Sequence, residues 1–490
     1  MTALWTPAEL RAATGGLMRA PFSATGVSID TRTLKPGDLF IALVGETDGH
    51  AHVAAALARG AAGALVHRLP DDVPDDAPLL AVADTLAGLR GLAEFARARF
   101  AGRLVAVTGS VGKTTTKEML RVILAAHGRT WAAEASHNNH WGLPLTLARI
   151  QRAAEYCVAE IGMNHAGEIA PLARLARPHV ALITNVEHVH VGHLGSLEAV
   201  ADEKLAIQEG LDGGTLLLPR DSAMFARLAA GARHNVRSFG RHGEADDRLL
   251  AAESDPTGTD VSAEIAGQRV SLRLTAPGAH MAMNAVAALS AAALLGADPA
   301  RGAAALAGFA PVAGRGARRM IAVPGGEALL LDESYNASAV AMRAAFAVLA
   351  MQPAARRVAV LGDMRELGEF GPAEHAALAE PATAADIVFT CGPLMAHLRD
   401  RLPADRRGAH AEDSAALAPL VAAALRPGDA VLVKGSLGSR MKLIVDAIGG
   451  ASSEMVDAIG GASSETVDAI GVPPADIVHA IDVTPAESAA

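Results

Sequence analysis

Aromatic side chains are scarce in this chain: 10 Phe, 3 Trp and 2 Tyr among 490 residues. Reading single-stranded nucleic acid by base stacking would have few rings to draw on, and the cores must be built from Ala, Leu and Val. Cysteine is scarcer still. Cys157 and Cys391 are too few for a disulfide framework or a cysteine-based zinc cluster. Both sit in apolar, strand-like runs, which predicts buried free thiols and fits a reducing compartment. Positive charge is not in excess, with 43 Lys and Arg against 53 Asp and Glu and a net charge of −10. That balance argues against a chain that wraps nucleic acid and gives no electrostatic pull toward anionic membranes. Long apolar runs are missing too. The longest uncharged stretch, Leu274 to Ala297, is interrupted by Pro277, Gly278, His280 and Asn284 and does not read as a membrane span. No basic region followed by an apolar core opens the chain between Met1 and Leu10, so no secretory signal is expected. A soluble cytoplasmic protein is the first expectation.

What is present is a chain that is 51% hydrophobic and 20% charged, enough to bury several cores. At roughly 150 residues per domain the length predicts about three. Short apolar runs alternate with Ala-rich helical stretches: Leu39–Val44, Ala64–His67, Leu79–Val82, Leu104–Thr108, Tyr156–Ile161, Val180–Thr184 and Thr215–Leu218. A helix follows over about Asn284–Leu295. A second series comprises Ala328–Leu331, Arg357–Leu361, Ile387–Thr390 and Ala430–Val433. Such alternation predicts an α/β protein with doubly wound, mostly parallel sheets. The expected organisation is a small N-terminal α/β domain (1–100), a central domain (101–313), a third, Rossmann-like domain (314–448) and a tail (449–490). The tail repeats Val445-Asp-Ala-Ile-Gly-Gly-Ala-Ser-Ser-Glu-Met455 with a period of 11 residues. Its Gly-Gly and Pro-Pro pairs would break a long helix. A mobile end is expected, with a partner-binding or oligomerisation segment as the alternative.

The strongest chemical signal is Thr108-Gly109-Ser110-Val111-Gly112-Lys113-Thr114-Thr115, placed between a buried strand and a helix. Gly109 and Gly112 allow a tight turn that aims backbone N–H groups at phosphate, and the helix N-terminus adds its dipole. Lys113 can reach the β- and γ-phosphates of a nucleotide, and Thr114 or Thr115 can hold Mg²⁺. The loop is shorter than the common Gly-x4-Gly-Lys-Thr form, because Val107 stands where the first glycine would be. Glu160 closes the next strand, followed by Gly162-Met-Asn-His-Ala-Gly-Glu168. Asn185 and His190 follow the strand after that. Carboxylates at the carboxyl ends of parallel strands face the ligand crevice. A carboxylate, an imidazole and a threonine could ring the Mg²⁺ of a bound nucleotide. Taken alone, Glu160 reads as a ligand first, with a helix-capping or surface role as its alternative, whereas His190 reads as a core or surface histidine and Lys204 as a solvated helical lysine.

The short phosphate loop resembles that of the Mur ligases and their folylpolyglutamate synthetase relatives, ATP-dependent enzymes that form amide bonds. Glu160-x-Gly-x-Asn-His-x-Gly-Glu168 and Asn185-(x4)-His190-(x4)-Gly195-Ser196 are similar to Mur ligase motifs. The resemblance implies metal ligands at Thr115, Glu160 and His190, and two Mg²⁺ ions. It also implies a lysine carbamylated by CO2 at Lys204, in Asp202-Glu-Lys204. The carbamate needs a neutral amine first. Gly192 departs from the glutamate that relatives often carry. Asn284 matches an adenine-contacting asparagine, and Arg315 an arginine that reaches the nucleotide from the third domain. Met281 departs from the asparagine that usually follows His280.

Substrate identity has to come from outside the ATP core. Ser28-Ile-Asp30-Thr-Arg32, Pro36-Gly-Asp-Leu-Phe40 and Asp48-Gly-His50 resemble the uridine-nucleotide domain of those Mur ligases that act on longer peptides. Folylpolyglutamate synthetases lack that domain. By their chemistry alone, Asp30 and Arg32 could serve a base or diphosphate, or simply cap a loop and pair with each other. Asn138-Asn139-His-Trp141-Gly142, Asp332-Glu-Ser-Tyr335-Asn336 and Leu361-Gly-Asp-Met-Arg-Glu-Leu-Gly368 look like the family member that adds D-alanyl-D-alanine. The resemblance covers about residues 25–445. It implies substrate contacts at Ser28, Asp30, Arg32, Asn138, Asn139, Asp332, Tyr335 and Asn336. The implied partners are UDP-N-acetylmuramoyl-tripeptide and D-alanyl-D-alanine, with catalytic roles for Lys113, His190, Lys204 and Arg315. A monomer is expected. Two alternatives stand beside this reading: the family member that adds the third amino acid, and a nucleotide-binding scaffold without catalysis.

Overall fold

The structure is a computed structural model and describes residues 3–133, 138–189 and 191–450. The described residues form an α/β protein with three sheets. The described chain divides into two compact units. One takes 1–253, 260–274 and 281–309, and the other 254–259, 275–280 and the chain from Ala310 onward.

The N-terminal sheet contains β1 (Leu17–Met18), β2 (Gly26–Ser28), β3 (Asp38–Ile41), β4 (Gly63–Val66) and β5 (Leu79–Ala81), in the order β1-β5-β4-β3-β2. Strands β2 to β5 run parallel, and β1 pairs antiparallel at the edge. All four residues of β3 and of β4 are buried, as expected for strands covered on both faces.

The central sheet is built from β6 (Arg103–Thr108), β7 (Thr130–Ala132), β8 (Tyr156–Glu160), β9 (Val180–Ile183), β10 (Thr215–Pro219), β11 (Asn235–Gly240), β12 (Asp247–Asp255), β13 (Gly258–Ile265) and β14 (Gln268–Leu274). Their order is β14-β13-β12-β11-β10-β9-β6-β8-β7. The phosphate-loop strand β6 lies between β8 and β9, all three parallel. The chain steps from β6 out to β7 and β8 and then returns to the far side of β6. Open α/β sheets bind ligands where the order reverses in this way.

The N-terminal and central sheets are tied together inside one unit. The helix α2 (Gly142–Ala148) follows the phosphate-loop helix α1 (Lys113–Ala125) in the chain, yet its Leu145 and Ala148 enter the N-terminal core beside Trp5, Val27 and Leu39. Trp5 Nε1 donates to Ala148 O at 3.1 Å, and Arg149 Nε donates to Val27 O.

The C-terminal sheet comprises β15 (Ala317–Val323), β16 (Gly326–Glu333), β17 (Arg356–Gly362), β18 (Ile387–Cys391), β19 (Arg407–Ala411) and β20 (Asp429–Lys434). The order is β15-β16-β20-β17-β18-β19, parallel except for the β15–β16 hairpin. Cys157 and Cys391 are both buried free thiols, and burial pushes each up to about 12. Residues 451–490, which hold all but the start of the repeats, lie outside the described residues, as does His190.

Candidate active site

Three carboxyl-terminal strand ends converge on one place. Register pairs Val107 with Glu160 across β6 and β8, and Thr108 with Ile183 across β6 and β9. The phosphate loop, Glu160 and the Thr184-Asn185 corner are therefore neighbours by construction. Gly109 has φ +149, and a Cβ there would stand 1.8 Å from Thr184 Oγ1. Thr184 Oγ1 itself donates to Val111 O at 2.7 Å. Gly109→Ala is therefore expected to displace the loop and abolish measurable ADP binding by calorimetry. ADP affinity within about threefold of the parent would show that the loop tolerates the methyl group.

Asn185 holds the loop from the other side. Its Oδ1 accepts from the N–H of Ser110 at 3.1 Å and of Val111 at 2.9 Å. Ser110 Oγ donates to Glu187 O and accepts from Glu187 N–H. Ser110 and Val111, expected to cradle phosphate, thus have their N–H groups engaged by Asn185. This shifts the anion-binding burden toward Gly112 and the start of α1, where a helix N-terminus favours negative charge. Asn284, on the helix α4 (Ala279–Leu294), borders the same loop: a Cβ on Gly112, whose φ is +81, would lie 2.6 Å from Asn284 Oδ1. The helix α3 (Leu197–Leu205) lies between α2 and α4 in the chain and carries Lys204.

Glu160 is 1% exposed. Thr114 Oγ1 donates to its Oε2 at 2.9 Å, and Asn138 Nδ2 donates to its Oε1 at 2.8 Å. Thr114, and not Thr115, is the threonine bonded to Glu160. The helical turn that aims Thr114 at β8 turns the next residue elsewhere. Both described partners of Glu160 are neutral, and a buried carboxylate without a cation is costly. The oxygen donors gathered here, a carboxylate and a hydroxyl, match what Mg²⁺ prefers. Among the described residues no group of three or more His, Cys, Asp or Glu could hold a metal unaided. A Mg²⁺ ion at Glu160 would therefore have to be completed by phosphate oxygens and water, its usual habit in nucleotide sites.

Lys113 Nζ is folded back on the loop, donating to Gly109 O at 2.7 Å and Ser110 O at 3.3 Å. Lys204 is 1% exposed. Burial holds its amine well below the usual lysine range, and the Lys113 ammonium, a like charge nearby, lowers it further. Glu203 opposes the shift only in part. The neutral amine that a carbamate requires is thus favoured by the fold before any metal is added.

In the N-terminal domain Asp30 and Arg32 are engaged with each other. Arg32 Nη2 donates to Asp30 Oδ2 at 2.6 Å and Nε to Oδ1 at 3.0 Å. Arg32 hydrogen bonding holds the Asp30 carboxyl below its usual range. Ser28 is fully buried, and its hydroxyl donates to Asp30 O. It shapes the turn rather than offering an open contact. Asn139 Oδ1 caps α2 by accepting from the N–H groups of Trp141 and Gly142.

In the C-terminal unit Asp332 is buried and spends both oxygens on its own chain. Oδ1 accepts from Ser334 Oγ at 2.6 Å and Oδ2 from Gly314 N–H at 2.9 Å. It anchors the Gly314-Arg315 turn instead of presenting a free carboxylate. Arg315 stacks on Tyr335, its Cζ 4.0 Å from the ring centroid. Asn336 Oδ1 accepts from Ala337 N–H, and Asn336 O accepts from Lys434 Nζ at 3.1 Å. Lys434 also pairs with Glu333 at 3.1 Å. Thr184 and Asn185 carry no ligand role of their own in the sequence reading, yet both hold the phosphate loop. Both stand at the start of the Asn185-(x4)-His190 spacing, whose chemical signal is its histidine.

Two family models match this chain: the Mur ligase middle domain over residues 107–292 and the Mur ligase glutamate ligase domain over residues 318–437. The UDP-N-acetylmuramoyl-tripeptide–D-alanyl-D-alanine ligase of Escherichia coli K12 is 36% identical over 442 residues, spanning 89% of this chain and 96% of the relative. The enzyme of the same name from Synechocystis is 35% identical over 422 residues, 84% of this chain and 88% of the relative. Among solved structures, MurF from Acinetobacter baumannii aligns with a TM-score of 0.78 at 29% identity, covering 91% of this chain and 98% of that one. MurF ligase from Thermotoga maritima in complex with ADP aligns at 0.71 and 26%, covering 86% and 97%.

Proposed function

The chain belongs to the Mur ligase family, and from that premise we propose that it is the ATP-dependent ligase that joins D-alanyl-D-alanine to UDP-N-acetylmuramoyl-tripeptide in peptidoglycan precursor synthesis. The observation that carries the reading is the convergence of the phosphate loop, Glu160 and Thr114 at the carboxyl ends of β6 and β8, in a chain whose relatives over nearly their full length carry that name. It acts in the cytoplasm as a monomer.

The tripeptide carboxylate attacks the γ-phosphorus of ATP, forming an acyl phosphate and releasing ADP. The D-alanyl-D-alanine amine then attacks the acyl carbon, loses a proton and expels phosphate as the amide forms. Mg²⁺, when bound, supplies charge neutralisation on the phosphates. Glu160, Thr114 and His190 would hold it, and a carbamate formed from the neutral Lys204 amine and CO2 would orient a second ion. Lys113 unfolds from its loop carbonyls to meet the transferring phosphoryl group, and Arg315 adds its permanent charge from the C-terminal domain. Asn284 and Gly112 shape the nucleotide cradle. Asp30, Arg32 and Asn139 belong to the binding side of the uridine nucleotide substrate, and Tyr335 and Asn336 to that of the dipeptide or ATP.

A substrate panel tests this. ADP release is expected with UDP-N-acetylmuramoyl-tripeptide plus D-alanyl-D-alanine. Release only with the dipeptide nucleotide plus diaminopimelate or lysine would assign the chain to the preceding ligation instead. Release with neither pair, despite ADP binding, would favour the scaffold.

A further inference from the structure

One segment, residues 138–142, touches both the phosphate site and the N-terminal domain. At its start, Asn138 Nδ2 holds the Glu160 carboxylate, Asn138 O accepts from Gly162 N–H at 2.8 Å, and its amide packs so closely that a Cβ on Gly162 would lie 2.8 Å away. Asn139 Oδ1 locks the next turn through the N–H groups of Trp141 and Gly142. At its end, the Trp141 ring lies on Gly45: a Cβ there would stand 2.4 Å from Cη2. Gly45 belongs to the loop that follows the carboxyl end of β3, closed by a bridge between Val44 and Asp48. Asp48 pairs with Arg68, beyond the carboxyl end of β4, and its carboxylate meets His50 Nδ1 at 2.7 Å. Asp30 and Arg32 follow the end of β2. The carboxyl ends of parallel strands are where such a domain takes its ligand, so Trp141 rests on the rim of that crevice.

We propose that Trp141 is a positioning residue that couples ligand engagement at the N-terminal crevice to the Glu160 carboxylate. The proposal rests on the N-terminal domain taking the uridine nucleotide substrate. The path is a short run of packed and hydrogen-bonded groups: the Gly45 loop, the Trp141 ring, the Asn139-capped turn, the Asn138 amide, Glu160 and the Thr114 hydroxyl on α1. A shift of the Gly45 loop on ligand binding moves the ring, and the capped turn passes the movement to the amide that aims Glu160. Coupling of this kind is a reciprocal ratio of affinities, not a contact with either ligand.

The test is titration calorimetry of UDP-N-acetylmuramoyl-tripeptide, with and without a saturating non-hydrolysable ATP analogue and Mg²⁺. The parent protein is expected to bind the uridine nucleotide roughly fivefold or more tightly with the analogue present. In Trp141→Ala that ratio is expected to fall to near one, with each ligand alone bound within about threefold of the parent. Gly45→Ala, which pushes the ring from the other side, should do the same. Gly45→Ala combined with Trp141→Phe, whose smaller ring makes room for the methyl group, should recover part of the ratio. The double variant also carries the test if Trp141→Ala does not fold. An unchanged ratio in Trp141→Ala or Gly45→Ala overturns the proposal. So does loss of either binary affinity, which would make Trp141 a ligand contact or a packing element. No coupling in a parent protein that binds both ligands overturns it as well. A parent that does not bind the uridine nucleotide at all would instead sink the assignment of the N-terminal domain.

Discussion

Lys113→Met is expected to lower ADP release under saturating substrates by roughly 10³-fold or more, the scale on which a single charge aimed at a transferring phosphoryl group acts. Methionine keeps most of the stem and removes only the ammonium. The Nζ now lies on Gly109 O and Ser110 O, and phosphate oxygens, which carry full negative charge, can take its place on the ammonium from those neutral carbonyls. The melting temperature should move little, since methionine keeps the packing of the stem. ADP affinity should fall far less than turnover, since the interaction strengthens as charge develops in transfer. A second effect follows from the like-charge pair. The Lys113 ammonium helps to keep the Lys204 amine below its usual range. Its removal lets that amine hold its proton at higher pH, so less carbamate should be found on Lys204 by intact mass. Turnover within tenfold of the parent would remove Lys113 from phosphoryl transfer.

The parallel strands were legible because strands covered on both faces read as unbroken apolar runs. Leu104–Thr108, Tyr156–Ile161 and Arg357–Leu361 all fall on observed strands to within a residue or two. The strands β12 to β14 were not legible. They alternate buried and exposed residues, as in Gln268-Arg-Val-Ser-Leu-Arg-Leu274, and such a face leaves too little apolar signal to stand out. The helix α4 starts at Ala279 rather than near Asn284, because its first turn follows directly on the Pro277-Gly278 break. The phosphate loop was readable from Gly, Lys and Thr at fixed spacing. What the spacing could not tell was which polar atom is already engaged. Asp332 and Ser28 look like ligand groups in a motif, yet one bonds Gly314 and Ser334 and the other Asp30. Asn138 reads as a substrate contact, and its amide nitrogen holds Glu160. These engagements depend on which backbone and side-chain groups the fold brings within reach, and only the folded chain fixes that.

Lys204→Met is expected to divide stability from activity. In the folded protein the Lys204 amine is held well below the usual 10.5 by burial first and by Lys113 second. In the unfolded chain it returns to its ordinary value. The unfolded state therefore binds more protons wherever the pH lies between the two values, and stability must rise with pH through that window. Below the window the cost of burying the amine is present in full, and above 10.5 it is gone. Methionine, of similar volume and without charge, removes that cost. The metal-free variant, in buffer depleted of CO2, should melt higher than the parent at neutral pH, and the gap should narrow as the pH is raised. Turnover should fall by roughly 10²-fold or more, because a site built to hold an anion made from CO2 has lost it. The parent in bicarbonate should carry the mass of one added CO2, and the variant should not. A variant that melts lower and turns over normally would make Lys204 an ordinary packing residue. A parent without the added mass, but with normal turnover, would leave the buried amine in place and take away only its carbamate.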